Sequence, residues 1–227
     1  MRRPHDILAY GPDALLLKWQ QRIAPDVSRG VHAYARLLAD RPGVRECVPA
    51  YASLLVTFDP ALTDGYRLRE AIYELEPPTT AASERVVHEL PVCYNGPDLA
   101  AVAELTGVSV AAIPDYHADR PYLVYQLGYA PGFGFLGQTI AELEVARRSS
   151  PRKAVSAGAV GLAGRQTGVY PAASPGGWQL IGHCPLPLLH PTTGEARLRA
   201  GDEVIFRSIT AEELAAFTPN DHPWPTR

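Results

Sequence analysis

Long apolar runs are missing from this 227-residue sequence. The short apolar set at residues 7–10 is broken at once by Gly11-Pro12-Asp13, which leaves too little for the apolar region of a signal peptide. No later stretch approaches the roughly 18 apolar residues that a membrane span needs. We therefore expect a cytoplasmic protein without a membrane partner.

The sequence also lacks a run of like charges and a closely spaced cysteine pair. Charged residues make up 20% of the chain and the formal net charge is −3, so no basic tract is available to follow a phosphate backbone. Cys47, Cys93 and Cys184 are far apart and form no C-x-x-C pair. This spacing predicts neither a disulfide framework nor a zinc site. We expect no nucleic-acid partner and no metal centre.

Two domains are predicted, residues 1–80 and residues 85–227, because residues 76–83 have the composition of a linker, with two prolines, small residues and no periodicity. The first part shows the order strand, helix, strand, strand, helix, which favours a small α+β domain. The second part consists of short apolar runs separated by glycine and proline, which favours a closed or nearly closed β-barrel.

Apolar periodicity and capping residues place the individual elements. In the first part, strands are predicted at 15–19, 44–48 and 53–58, with one helix capped by Asp26 and a second capped by Thr63 or Asp64. In the second part, strands are predicted at 85–94, 122–129, 160–162, 178–181, 186–189, 196–199 and 204–208. Asp98 is expected to cap a helix that Gly107 stops, Ser109 to cap a further turn, and Thr210 to start a capping box.

Three glycine-rich segments carry the chemistry that the sequence offers. Residues 128–137 interleave four glycines with three aromatic residues, which suits a loop that approaches a ligand through its backbone while the rings exclude water. The same pattern also suits a tight turn whose rings plug the end of a barrel. Local chemistry leaves both interpretations open.

The second segment, residues 157–171, has glycines at every third position from 158 to 164 but lacks the G-x-x-x-x-G-K-[ST] spacing of a phosphate loop. Its glycines could simply permit close packing of a strand. Gln166, Thr167 and Tyr170 follow them as a polar and aromatic cluster, expected at the barrel rim, that can orient an amide or a carboxylate.

The third segment, residues 174–182, combines a Pro-Gly-Gly turn with Trp178, which is either a ligand platform or a buried tryptophan at a strand entry. Ser174 lacks the G-x-S-x-G context of a serine hydrolase. His183, directly after this segment, is a candidate proton donor or anion ligand. Arg152 and Lys153 could neutralise a carboxylate or a phosphate.

Taken in order, Pro91-Val92-Cys93-Tyr94, the three glycine-rich segments and residues 200–206 resemble the family of 5-oxoprolinase B subunits, also called allophanate hydrolase subunit 1 or KipI-like. The resemblance implies a carboxyltransferase-type chain with an N-terminal α+β domain and a cyclophilin-like β-barrel. It implies a subunit of an ATP-dependent hydrolase that opens 5-oxo-L-proline to L-glutamate, with ATP bound in the complex.

The partners implied by this resemblance are a larger homologous subunit, of the 5-oxoprolinase C type or the allophanate hydrolase subunit 2 type, and a third subunit of the 5-oxoprolinase A type. Two alternatives remain open. One is an inhibitor that binds a sensor histidine kinase, and the other is a subunit related to biotin-dependent urea carboxyltransferase or allophanate hydrolase.

The predicted catalytic residues are Gln166, Thr167, Tyr170 and His183. The predicted substrate-binding residues are Tyr129, Pro131, Gly132, Phe133, Arg152, Gly164, Arg165, Pro171, Ser174, Gly176, Gly177 and Trp178.

Overall fold

The computed structural model describes residues 3–76, 86–219 and 223–225. By its internal contacts the chain divides into two units, residues 1–84 and residues 85–227. The predicted linker at 76–83 lies, apart from Glu76, outside the described residues. None of the helices in the described parts of the chain is long and apolar enough to cross a membrane.

The first unit is an antiparallel four-stranded sheet with two helices. Its strands follow the order β1-β2-β4-β3 across the sheet. The elements are β1 (Asp6–Ala9), β2 (Ala14–Lys18), α1 (Pro25–Ala39), β3 (Val44–Pro49), β4 (Ser53–Phe58) and α2 (Gly65–Glu74). Alternate residues of β4 are buried, as the period of two in the sequence predicts. The α+β prediction is therefore confirmed.

Three details of this unit differ from the sequence prediction or refine it. Residues 6–9 form a strand that was not predicted. This strand pairs with β2 as a β-hairpin, and the Gly-Pro-Asp sequence that breaks the apolar run is the turn between them. Asp26 is not the N-cap of α1, since Pro25 occupies the first helical turn and Ala24 becomes the cap. Asp64 does cap α2, where its carboxylate accepts the backbone N–H of Arg67 at 2.8 Å.

The second unit is built on a seven-stranded sheet in the order β12-β9-β10-β7-β6-β13-β5. Its elements are β5 (Val87–Val92), α3 (Leu99–Thr106), α4 (Ile113–Ala118), β6 (Tyr122–Leu127), β7 (Gly134–Gly137), a 3₁₀ turn (Ala141–Leu143), β8 (Arg152–Val155), β9 (Ala159–Ala163), β10 (Gln166–Val169), β11 (Ser174–Gly176), β12 (Gln179–His183), β13 (Glu203–Ser208) and α5 (Ala211–Ala215). Cys93, directly after β5, exchanges two backbone hydrogen bonds with His183 at the end of β12, at 2.9 and 2.8 Å. These bonds bring the two edges together, so the sheet is nearly closed into the predicted barrel.

The sequence placed the ends of this unit's elements less well. Residues 186–189 and 196–199, all of them described, meet in an isolated bridge between Leu189 and Ala196 rather than in two strands. Prolines at 185, 187 and 191 remove the backbone donors that a strand pairing would need. The helix expected after Ser109 begins only at Ile113. Strands β7, β10 and β11 were not predicted because their glycines mask the apolar alternation, and β8 was not predicted because it has only four residues and begins with Arg152 and Lys153.

The wall of the barrel is covered on both faces around β9. Val160 and Leu162 belong to the core inside the barrel, whereas Ala159 and Ala163 belong to a smaller apolar cluster outside it. The two-stranded ribbon of β8 and β11 supplies Val155 to this outer cluster. Because successive strand residues point to opposite faces, β9 separates two packed layers. The outer layer contains the candidate site.

Candidate functional site

Two neighbouring glycines leave part of the outer face of the barrel wall without side chains. Gly161 and Gly168 are partners across β9 and β10. A Cβ at Gly161 would lie 3.0 Å from the Cβ of Trp178, and one at Gly168 would lie 2.9 Å from the carbonyl oxygen of Gly134 and 3.1 Å from the ring of Phe133. The glycines of the second segment therefore permit close packing, and what packs against them is aromatic.

Phe133 is the centre of the aromatic cluster on this face. Its ring centroid lies 5.3 Å from Tyr170, 5.4 Å from Trp178, 5.4 Å from Tyr129 and 4.9 Å from Phe135. All four pairs have an edge-to-face arrangement, in which the positive edge of one ring meets the negative face of another. The first and third glycine-rich segments thus pack against each other and against the second segment.

A cavity of about 90 Å³ lies between these rings. Its lining consists of Tyr129, Phe133, Phe135, Arg147, Tyr170, Gly176, Gly177 and Trp178. Six of the eight lining residues belong to the set that the sequence predicted. The volume is well below the roughly 300–1,000 Å³ of pockets for drug-sized ligands, so the cavity suits a small ligand or one part of a larger one.

Tyr129 closes one side of this cavity in an unusual backbone conformation. Its φ of +70° lies in the left-handed region, which side chains other than glycine rarely adopt. The ring is 59% exposed, and its hydroxyl donates a hydrogen bond to the carbonyl oxygen of Pro175. Such a conformation costs about 1–3 kcal/mol and is common at ligand sites, so Tyr129 is held over the cavity rather than packed into the core.

The polar side-chain groups at the cavity are one cation and two phenols. The guanidinium carbon of Arg147 lies 5.9 Å from the centroid of the Trp178 ring, which is within cation–π range. Burial raises the pKa of Tyr170, against a smaller lowering effect of the Trp178 backbone. Tyr170 therefore remains a protonated phenol near neutral pH. The site offers one positive charge and the Tyr170 hydroxyl among aromatic rings, while the Tyr129 hydroxyl is already bonded to Pro175.

Thr167 does not belong to this group, contrary to the prediction that it lies with Gln166 and Tyr170 at one rim. Strand alternation turns Gln166 and Tyr170 outward and Thr167 into the barrel, where it is fully buried. There His117 Nε2–H donates to Thr167 Oγ1 at 2.8 Å, and the threonine hydroxyl donates to the carbonyl of Gly161 at 3.1 Å. A catalytic role of Thr167 stays a prediction.

His117 is the centre of this buried relay. The hydroxyl of Tyr94 donates to its Nδ1 at 2.8 Å, so both ring nitrogens are satisfied by the neutral form. Complete burial lowers the pKa of His117 to about 3, with a small opposing effect from Asp119. The ring also packs on Phe206 at 4.4 Å. Sequence reasoning assigned His117 no role, because a single histidine carries no pattern that marks it as buried.

Other predicted residues lie away from the cavity lining. His183 is at the closing seam of the barrel, where its ring faces Gly158. Arg165 donates twice to the carbonyl of Thr139, at 3.1 and 2.7 Å, and Gln166 pairs with Gly137 at the end of β10 opposite Tyr170. The remaining predicted residues outside the lining are Pro131, Gly132, Arg152, Gly164, Pro171 and Ser174. Nothing in these placements tests their predicted roles.

Two lining residues were missed by the sequence prediction. Phe135 lies in the first glycine-rich segment but was not chosen, and Arg147 lies between segments. The dipeptide Arg147-Arg148 before two serines and a proline was the available signal. No group of three or more His, Cys, Asp or Glu side chains within 3–76, 86–219 and 223–225 is placed to hold a metal ion.

Comparison with known proteins agrees with this architecture. A family model described as carboxyltransferase domain, subdomain C and D, matches residues 5–198. The crystal structure of the protein TTHA0988 superposes with a TM-score of 0.78 at 36% identity, covering 87% of this chain and 40% of that one. This chain therefore spans about two fifths of the length of that structure. Urea carboxylase from Kluyveromyces lactis shares the fold alone, with a TM-score of 0.71 at 16% identity over 95% of this chain and 24% of that one.

Two curated relatives, both named as the B subunit of 5-oxoprolinase, match over most of their length. The relative from Bacillus subtilis (strain 168) is 38% identical over 94% of this chain and 96% of the relative. The relative from Escherichia coli O157:H7 is 37% identical over 86% of this chain and 92% of the relative. The chain thus belongs to the family of 5-oxoprolinase B subunits, within the carboxyltransferase-domain proteins of the subdomain C and D type.

Proposed function

We propose that this chain is the B-type subunit of an ATP-dependent hydrolase that opens a small cyclic amide, with 5-oxo-L-proline as substrate and L-glutamate as product. The relatives named as 5-oxoprolinase B subunits support this activity. Their naming as subunits supports assembly with other chains, which we propose to be a larger homologous subunit of the C type and a third subunit of the A type.

The observation that carries the proposal is the pairing of aromatic walls with one guanidinium in a small cavity. A five-membered lactam with a carboxylate has apolar ring carbons, one polar amide and one negative charge. Its ring carbons suit the cavity that Phe133, Trp178 and the other aromatic rings line, and its carboxylate suits Arg147 at the edge. The protonated hydroxyl of Tyr170 can donate a hydrogen bond to the amide oxygen.

We place the nucleotide elsewhere in the assembled complex. The sequence contains no G-x-x-x-x-G-K-[ST] loop, and a cavity of about 90 Å³ has no room for a nucleotide beside a substrate. In this proposal the chain binds and orients the amide, while a partner subunit supplies the ATP site. Orientation alone can lower a reaction barrier by several kcal/mol, so the chain is required for turnover.

Reconstitution tests the proposal. The chain is combined with the larger and the third subunits, and 5-oxoproline-dependent ATP hydrolysis and glutamate formation are measured with and without it. We expect both activities to require this chain. Full activity in its absence would show that the chain is not a catalytic subunit.

Substitution of Arg147 tests the site itself. Arg147→Gln should raise the KM for 5-oxoproline about tenfold or more, because a charge-assisted hydrogen bond is lost. Arg199→Gln is the matched control, since Arg199 is exposed and pairs only with Glu195 among its described neighbours. An unchanged KM in Arg147→Gln would show that the substrate carboxylate does not bind at Arg147.

A further inference from the structure

A second charged group lies beside the aromatic cavity and has no part in the proposed function. Asp98 occupies the N-cap position of α3, yet its carboxylate does not cap the helix. One oxygen accepts the backbone N–H of Leu180 at 2.7 Å. The other accepts Arg152 Nη2 at 2.6 Å and Arg148 Nη1 at 3.2 Å. A single carboxylate, only 4% exposed, therefore serves two guanidinium groups.

The charges in this group do not balance. Within the described residues, Asp98 is the only carboxylate at ion-pair distance from Arg148 or Arg152, so one positive charge remains. Arg148 Nε and Arg152 Nη1 are buried and donate to no described residue. Leaving such a donor unsatisfied costs about 1–3 kcal/mol, and more when the group is charged. An oxyanion at the accessible part of the two guanidinium groups would balance the remaining positive charge.

Solvent still reaches this group. The side chain of Arg148 is 36% exposed and that of Arg152 is 23% exposed, so an anion can approach the guanidinium heads from outside. Arginine presents its N–H groups in a planar fork that fits two oxygens of a carboxylate or a phosphate. Two such forks that share one aspartate oxygen leave donors free for a second anion.

The group also borders the aromatic cavity. Arg152 pairs with Gly176 across β8 and β11, and a Cβ at Gly176 would lie 2.4 Å from the hydroxyl oxygen of Tyr170. The absence of a side chain at Gly176 therefore lets this hydroxyl lie against the strand residue that pairs with Arg152. The positive charges of Arg147 and Arg152 both act to lower the pKa of Tyr170, against the larger effect of burial.

We propose that Arg148 and Arg152 form a binding site for a small oxyanion, a phosphate or a carboxylate group, next to the aromatic cavity. Asp98 positions the two guanidinium groups and competes with the bound anion for their N–H donors. The site stands on residues of this chain and does not depend on the activity proposed above. A purely structural role, in which the three residues only fasten the β8–β11 ribbon to α3, gives no anion dependence.

Binding of simple anions to the full chain tests the site. Inorganic phosphate, sodium acetate and sodium chloride are titrated at matched ionic strength, and binding is measured by calorimetry and by the shift in Tm. We expect saturable binding of phosphate, of acetate or of both, and none of chloride. Phosphate alone would identify the ligand group as a phosphate, and acetate alone as a carboxylate. Absence of saturable binding for both oxyanions would overturn the proposal.

Substitutions locate the site and separate it from a structural role. Arg148→Gln and Arg152→Gln should each weaken oxyanion binding about tenfold or more, whereas Arg199→Gln should not change it. Asp98→Asn should lower the Tm without ligand but tighten oxyanion binding, because the competing charge is gone. If Asp98→Asn is too unstable, Arg148→Gln, at the more exposed arginine, decides alone. Unchanged affinity in the arginine variants would refute the assignment.

Discussion

Acid should destabilise the barrel through His117. In the folded chain its pKa is about 3, whereas an unfolded histidine has a pKa of about 6.5. Between these values the unfolded chain binds more protons, so the contribution is fully present above about pH 6.5 and is lost as the pH falls towards 3. The slope reaches about 1.4 kcal/mol per pH unit, so lowering the pH from 6 to 4 should cost about 2–3 kcal/mol. This is a large part of the 5–15 kcal/mol typical of a domain.

Native-state hydrogen exchange of the amides of β9 and β10 between pH 4 and 7 measures this loss, because it reports the opening free energy of the barrel strands separately from the first unit. His117→Gln should be less stable at pH 7, since Tyr94 and Thr167 lose an imidazole partner. Its pH slope should be flatter, so the difference from the parent shrinks towards pH 4. His5→Gln, an exposed histidine in the other unit, should keep the parent slope. Equal slopes in His117→Gln and the parent would refute the reasoning.

Three further changes test packing, capping and thiol burial. Gly168→Ala should lower the free energy of unfolding by about 1–3 kcal/mol, measured by thermal unfolding, and displace the rings over the cavity. Gly164→Ala is its control, because a Cβ there would meet nothing within 4 Å. This control should cost only the strain of its φ of +57° and leave the cavity intact. Thr210→Ala should cost about 1 kcal/mol because the capping box of α5 is lost, and an unchanged Tm would contradict this. Burial raises the pKa of Cys47 to about 11 and that of Cys184 to about 12. A thiol reagent at pH 8 should therefore label the native chain slowly, and Cys47 before Cys184. Fast labelling of Cys184 would contradict its burial.

The local elements were predictable where a residue type or a pattern favours a single structure, as an alternating strand or a helix cap does. The alternation in β4 indicated its buried face, and Asp64 and Thr210 cap the helices that they were expected to cap. The family was also evident from the sequence, since several long glycine-rich motifs occur in a fixed order. The predictions were wrong or incomplete where a proline shifts the start of a helix or a glycine interrupts the apolar alternation of a strand. Pro25 moved the cap away from Asp26, and glycines masked the three short strands β7, β10 and β11.

The composition of the site depended on the tertiary structure. The sequence placed Thr167 and Tyr170 together because they are close along the chain, but only the packing of both faces of the barrel wall shows that one is inside and the other outside. Arg147 lines a cavity whose other lining residues lie within 129–135 and 170–178, and Asp98 meets Arg152 across 54 positions of sequence. By itself the sequence determined the family and six of the eight residues around the cavity, and it predicted a two-part organisation. Which charges face that cavity was decided by contacts between distant segments, and those leave no period or spacing in the sequence.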